Sequence, residues 1–138
     1  MARDVLLRAA VLGASAGARS ATPLAALAGD GGRFVRVLTV LAAGGELVVD
    51  KLPGTPSRLQ PGPLAGRLVL GAVAGGWYAR RRGRSVILPA VTAAAAAAGS
   101  SWAGARWRSV AARRGLAVPA ALAEDGVAVS LAAVATRR

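Results

Sequence analysis

Seven ionisable side chains sit within or beside the apolar stretches of this 138-residue chain: Arg19, Glu46, Asp50, Lys51, Arg67, Glu124 and Asp125. Charged groups in such surroundings are costly, and they often line ion or proton pathways. Glu46 and Asp50 are four residues apart, so on a helix they share one face. Two carboxylates that close cannot both stay charged in a dry site unless cations approach. Arg19 and Arg67 are the available cations. The set therefore has two readings. It binds a small solute or ion, or it is a structural network of charges that neutralise one another in a packed bundle. Two carboxylates from one helix supply too few oxygen ligands for a dedicated cation site, so no metal and no cofactor are expected.

Other chemistry is removed by what is missing. With no cysteine and no histidine, the chain has no disulfide, thiol nucleophile, zinc site or imidazole base. Gly13-Ala14-Ser15-Ala16-Gly17 fits the G-x-S-x-G nucleophile pattern. No strand is predicted before Ser15, and Lys51, the only lysine, is the sole alternative base. The chain is not expected to be an enzyme.

The elements that must position these residues are helices in a membrane. Apolar residues make up 54% of the chain and the mean hydropathy is positive, yet the net charge is +12. Aromatics, at 4%, are thin for a soluble core of this size. Apolar spans alternating with arginine-rich loops reconcile these facts. Residues 85–105 form a 21-residue uncharged run and the cleanest span. The fold expected is an all-α integral membrane bundle of about five apolar segments, making four or five crossings. They cover residues 5–28, 34–52, 62–79, 85–105 and 116–136 of one domain spanning 1–138.

Small residues predict tight packing. Gly13, Gly17 and Ala21 recur every four residues, Gly62 to Gly66 and Gly71 to Gly75 have GxxxG spacing, and residues 93–98 are all alanine. Pro23 predicts a break near Thr22 in the first segment, and Pro53-Gly54 stops the second. Trp77-Tyr78 before Arg80-Arg81-Arg82-Gly83-Arg84 reads as an interfacial anchor and a basic loop rather than a nucleic-acid patch. Arg3, the apolar run 5–14 and Ala14-Ser15-Ala16 imitate a signal peptide, but Asp4 and Arg8 interrupt its charge pattern. Residues 23–31 and 119–126 share a faint echo of the kind that inverted repeats leave in transporters. With five crossings the basic residues divide eight against eight, which gives no orientation and allows dual topology. If the first segment enters and leaves on one side they divide ten against six, with both termini and the 80–84 loop cytoplasmic.

The run Gly45-Glu46-Leu47-Val48-Val49-Asp50-Lys51-Leu52-Pro53 continues through Thr55-Pro56-Ser57-Arg58 to Gly62-Pro63-Leu64-Ala65-Gly66-Arg67. With Ala121-Leu122-Ala123-Glu124-Asp125, it resembles the bacterial membrane proteins grouped as domain of unknown function 4126, in an alanine- and arginine-rich actinobacterial form. The resemblance covers about residues 13–131. It implies a small multi-pass protein and brings no established activity. It adds weight to Glu46, Asp50, Lys51, Pro53, Arg67, Glu124 and Asp125 without assigning their roles.

The leading expectation is a channel or carrier in the inner (plasma) membrane. Glu46 and Asp50 would be its coupling carboxylates, with Arg19 and Arg67 as their partners or as anion contacts. The alternative is a non-transporting scaffold or accessory subunit whose buried charges are structural. A lipid-acting enzyme and a soluble basic binder rank below both. The expected partners are the lipid bilayer and further copies of the chain, with no nucleic acid.

Overall fold

The computed structural model describes residues 2–19, 22–27 and 61–136, and among them every regular element is helical. The helices are α1 (Ala2–Ala18), α2 (Thr22–Leu27), α3 (Pro61–Arg81), α4 (Ile87–Arg113) and α5 (Ala117–Thr136). The segment expected at 34–52, with Glu46, Asp50 and Lys51, lies outside the described residues.

Proline and glycine set the boundaries. Pro61 and Pro63 lie in the first turn of α3, and Pro119 in that of α5, where a missing N–H costs no helical bond. Two glycines with positive φ end α3 and α4, Gly83 at 64° and Gly115 at 70°. At the second, Leu116 N–H donates to Ala111 O at 2.9 Å and Gly115 N–H to Ala112 O at 3.1 Å. The turn at Gly83 repeats the pattern, with Arg84 N–H on Ala79 O and Gly83 N–H on Arg80 O, both at 3.0 Å. This is the left-handed cap that satisfies the last carbonyls of a helix, and a side chain at either glycine would be strained.

α1 is the central helix. It packs against α2, α3, α4 and α5, and α4 also packs along α3. The contacts are made by small residues four apart. Pro89, Ala93, Ala97 and Ser101 form the buried edge of α4, and Ala120, Glu124, Ala128 and Ala132 that of α5. Gly13 lies so close to Ala93 that a Cβ would stand 2.6 Å from its Cα, and one on Gly75 would stand 2.7 Å from Pro89 O. Glycine is required at both sites because backbone meets backbone. The larger apolar core (Val5, Leu12, Leu27, Tyr78) gathers elsewhere along the bundle.

Large apolar side chains point outward. Ile87 is 73% exposed, Val118 71%, Leu122 67% and Leu7 64%. One helix among the described residues, α5, is long and apolar enough to cross a membrane, with hydropathy 1.5. Four of the five expected segments are thus helical among the described residues, the first as α1 and α2, and one of these helices is a candidate span. The run 85–105, expected to be the cleanest span, starts later and extends to Arg113, carrying Arg106, Arg108 and Arg113 into helix rather than loop. Alanine and glycine also add little hydropathy per residue, which separates α4 from the valine- and leucine-richer α5.

Gly71 and Gly75 abut α4, whereas among the described residues no atom lies within 4 Å of a Cβ built on Gly62 or Gly66. The motif is the same in both places, and only one copy faces a described neighbour. Ser15 lies in the last turn of α1, fully buried, and its Oγ donates to Ala128 O at 2.9 Å, so it is not exposed as a nucleophile elbow requires.

Candidate functional site

The helix run interrupts itself at Arg19. Arg19 N–H makes the last bond of α1, to Ser15 O at 2.8 Å, and Thr22 N–H then turns back to Arg19 O at 3.3 Å. Continuing the helix would drive the Pro23 ring into the carbonyl of Arg19 and forfeit one bond, so α2 restarts with Pro23 in its first turn. The break was expected near Thr22 and Pro23, and α1 ends at Ala18 with α2 beginning at Thr22.

Arg67, buried on α3, reaches this end of α1. Its Nη1 donates to Gly17 O at 2.5 Å and Ala18 O at 3.1 Å. Ser101 Oγ of α4 donates to the same Gly17 O at 3.2 Å. A guanidinium suits the position because its several N–H donors can serve two carbonyls at once. Arg67 thus caps a broken helix from a neighbouring one.

Arg19 turns toward α5. Its Nε donates to Asp125 Oδ1 at 2.7 Å, and Nη2 pairs with the same oxygen. Its Nη1 is buried and has no hydrogen-bond partner. Residues 124 and 125 are about 100° apart around a helix, so Glu124 faces a different neighbour. Glu124 Oε2 accepts from Arg108 Nε of α4 at 2.6 Å. The Glu124 side chain is 8% exposed and that of Arg108 33%. Gly104 makes room for this carboxylate, since a Cβ there would stand 3.1 Å from Glu124 Oε1.

Arg19, Arg67, Glu124 and Asp125 therefore form one layer around the α1–α2 break. Among the described residues Asp125 is the carboxylate on Arg19, and main-chain carbonyls accept from Arg67. Glu46, Asp50 and Lys51 lie outside the described residues.

Arg108 is the member that sequence reasoning missed, having assigned it to a loop beyond the fourth segment. One signal was available. Arg108 and Glu124 lie at similar distances on either side of the Gly115 turn, where an antiparallel helical hairpin brings residues together.

Beside Glu124 runs a groove of about 340 Å³ between α1, α4 and α5, lined by Ala14, Ala18, Ser100, Trp107, Val127 and others. Its wall is apolar apart from Glu124 and Ser100. Among the described residues no group of three or more acidic, histidine or cysteine side chains gathers as a metal site would need. The layer can hold charge within the bundle and offers one unsatisfied cationic donor, Arg19 Nη1.

At the periphery, three aromatic residues each carry an arginine four positions later over the ring. These are Arg81 over Trp77 at 5.2 Å, Arg82 over Tyr78 at 5.2 Å and Arg106 over Trp102 at 5.1 Å. Arg8 pairs with Asp4 at 3.2 Å and donates to Ala135 O, tying α1 to the end of α5. No family model matches the chain, and no curated protein or solved structure matches it either.

Proposed function

We propose that the chain is a small multi-pass protein of the inner (plasma) membrane, acting as a channel or carrier for a small solute or ion. The observation that carries this proposal is the α1–α2 break, where Arg19 and Arg67 are buried beside the last carbonyls of α1. Broken helices that bring charge and free backbone groups to one level are a recurring way of binding a solute inside a membrane bundle.

Support for the membrane comes from the inverted distribution of apolar side chains. In water, burying alanine while exposing valine, leucine and isoleucine gives up hydrophobic driving force. In lipid the outward residues cost nothing, and small inward residues let helices approach closely. Helix α5 supplies one span on its own. The other crossings, a bundle of further copies, and membership of the domain of unknown function 4126 belong to the same proposal. The core of that resemblance, Glu46 to Pro53, lies outside the described residues.

Purified protein in liposomes holding proton- and halide-sensitive dyes tests the passage. Arg19→Gln and Asp125→Asn, like Glu46→Gln and Asp50→Asn, are expected to lose most of the wild-type flux while keeping their helicity. Unchanged flux in all four removes these residues from any pathway.

The second proposal is a non-transporting scaffold, and the pairing of charges favours it. Asp125 and Glu124 each have an arginine, and Arg67 caps carbonyls. On that footing the same variants lower thermal stability or oligomer recovery in detergent, and wild-type liposomes are tight.

A further inference from the structure

We propose that the cleft between α4 and α5 binds an anionic phospholipid, with an acyl chain in the groove and the headgroup at Arg113 and Arg114. This rests on the membrane placement proposed above and assigns a lipid to a defined place on the bundle.

The groove beside Glu124 continues toward the Gly115 turn as a second one of about 260 Å³, and Trp107 and Ala123 line both. The second is walled by Val110, Leu116, Pro119 and Ala120, with Arg114 as its only charged residue. Its emptiness follows from the sequence. Ala111, Ala120 and Ala123 are too short to close the space between two helices that a tight glycine turn holds side by side. An apolar groove without atoms to fill it forfeits dispersion contacts along its lining, and a lipid tail supplies them without desolvating any polar group.

Charge selects the kind of lipid. The last two turns of α4 and the residue after it carry Arg106, Arg108, Arg113 and Arg114 with no acid among them. Two are committed, Arg108 to Glu124 and Arg106 over the Trp102 ring. Arg113 and Arg114 are exposed and make no ion pair among the described residues. Guanidinium forks match phosphate oxygens in pairs, and basic pockets between membrane helices take anionic headgroups. The same charges oppose a second copy in this cleft, because a symmetric partner would bring its own arginines against them. Arginines at a helix C-terminus also complement the helix dipole, but that role needs no groove and makes no distinction between lipids.

Trp107 is placed to report occupancy. Replacing Trp77 and Trp102 by phenylalanine leaves it as the only tryptophan, since the chain has three. This full-length variant is reconstituted in phosphatidylcholine vesicles containing either dibrominated phosphatidylglycerol or dibrominated phosphatidylcholine. The anionic lipid is expected to quench Trp107 at about a five-fold lower mole fraction. Adding Arg113→Gln and Arg114→Gln should bring that ratio to about one with helicity unchanged, both side chains being exposed. Ala123→Leu, which fills the groove, should weaken quenching by both lipids. Equal quenching at the outset, or a preference that survives loss of both arginines, overturns the assignment. So does a Trp107 shielded from either lipid, which would mean that another helix occupies the cleft. A chain that fails to enter the vesicles overturns the membrane placement itself.

Discussion

Replacing Arg108 by glutamine while Glu124 remains asks whether the α4–α5 ion pair holds the bundle together. The two partners are unequally buried, with side chains 8% exposed for Glu124 and 33% for Arg108. Removing Arg108 takes the arginine of a close ion pair from a buried carboxylate, a change that costs about 3–5 kcal/mol. Removing Glu124 instead leaves an arginine that can swing its long side chain toward the surface, and about 1 kcal/mol is lost. Arg108→Gln should therefore destabilise far more than Glu124→Gln. The double variant, with neither charge, should resemble Glu124→Gln and give a coupling of about 3–5 kcal/mol. Unfolding in mixed dodecylmaltoside and dodecyl sulfate micelles, followed by far-ultraviolet circular dichroism, measures all three. Equal costs for the two single variants, or simple additivity in the double, would refute the pair as a buried structural contact.

The glycines give a contrast in the same assay. Gly13→Ala pushes a methyl group into the Ala93 backbone and should cost about 1–3 kcal/mol, whereas Gly66→Ala meets no described neighbour within 4 Å and should gain about 0.5–1 kcal/mol from helix propensity. Arg67→Lys keeps the charge but loses the planar Nη1 group, at the end of a longer side chain, that donates to both Gly17 O and Ala18 O. It should cost about 1–2 kcal/mol and speed amide exchange around residues 17–19, and unchanged exchange there would mean that the carbonyls do not need the cap.

Much of the helical framework was legible in the residues. Pro23 announced the break after α1, the basic run with Gly83 the loop after α3, and the alanine and glycine stripes the buried edges of α1 and α4. These are local properties. A proline ring excludes a helical continuation, and a glycine permits the left-handed cap, whatever lies nearby. The ends of α4 were less legible, since a charged residue at a helix end and one in a loop look alike until the helix is seen to continue.

The candidate site was legible as a set of residues and not as a set of contacts. Arg19, Arg67, Glu124 and Asp125 stood out because charge is conspicuous in an apolar chain, and Arg108 was lost among neighbouring arginines. What joins Arg19 to Asp125 across 106 residues of sequence is the rotation of α5 against α1. The same rotation sends the adjacent Glu124 to α4. The rotation of α3 against α4 decides in the same way that Gly71 and Gly75 meet a helix, while no described atom lies within 4 Å of a Cβ on Gly62 or Gly66. Sequence by itself determines where helices start and stop and which of their faces are small, because those follow from each residue's own backbone and volume. Which charge meets which is decided only by tertiary structure, because a helix presents a different partner with every 100° of turn and packing alone chooses the angle.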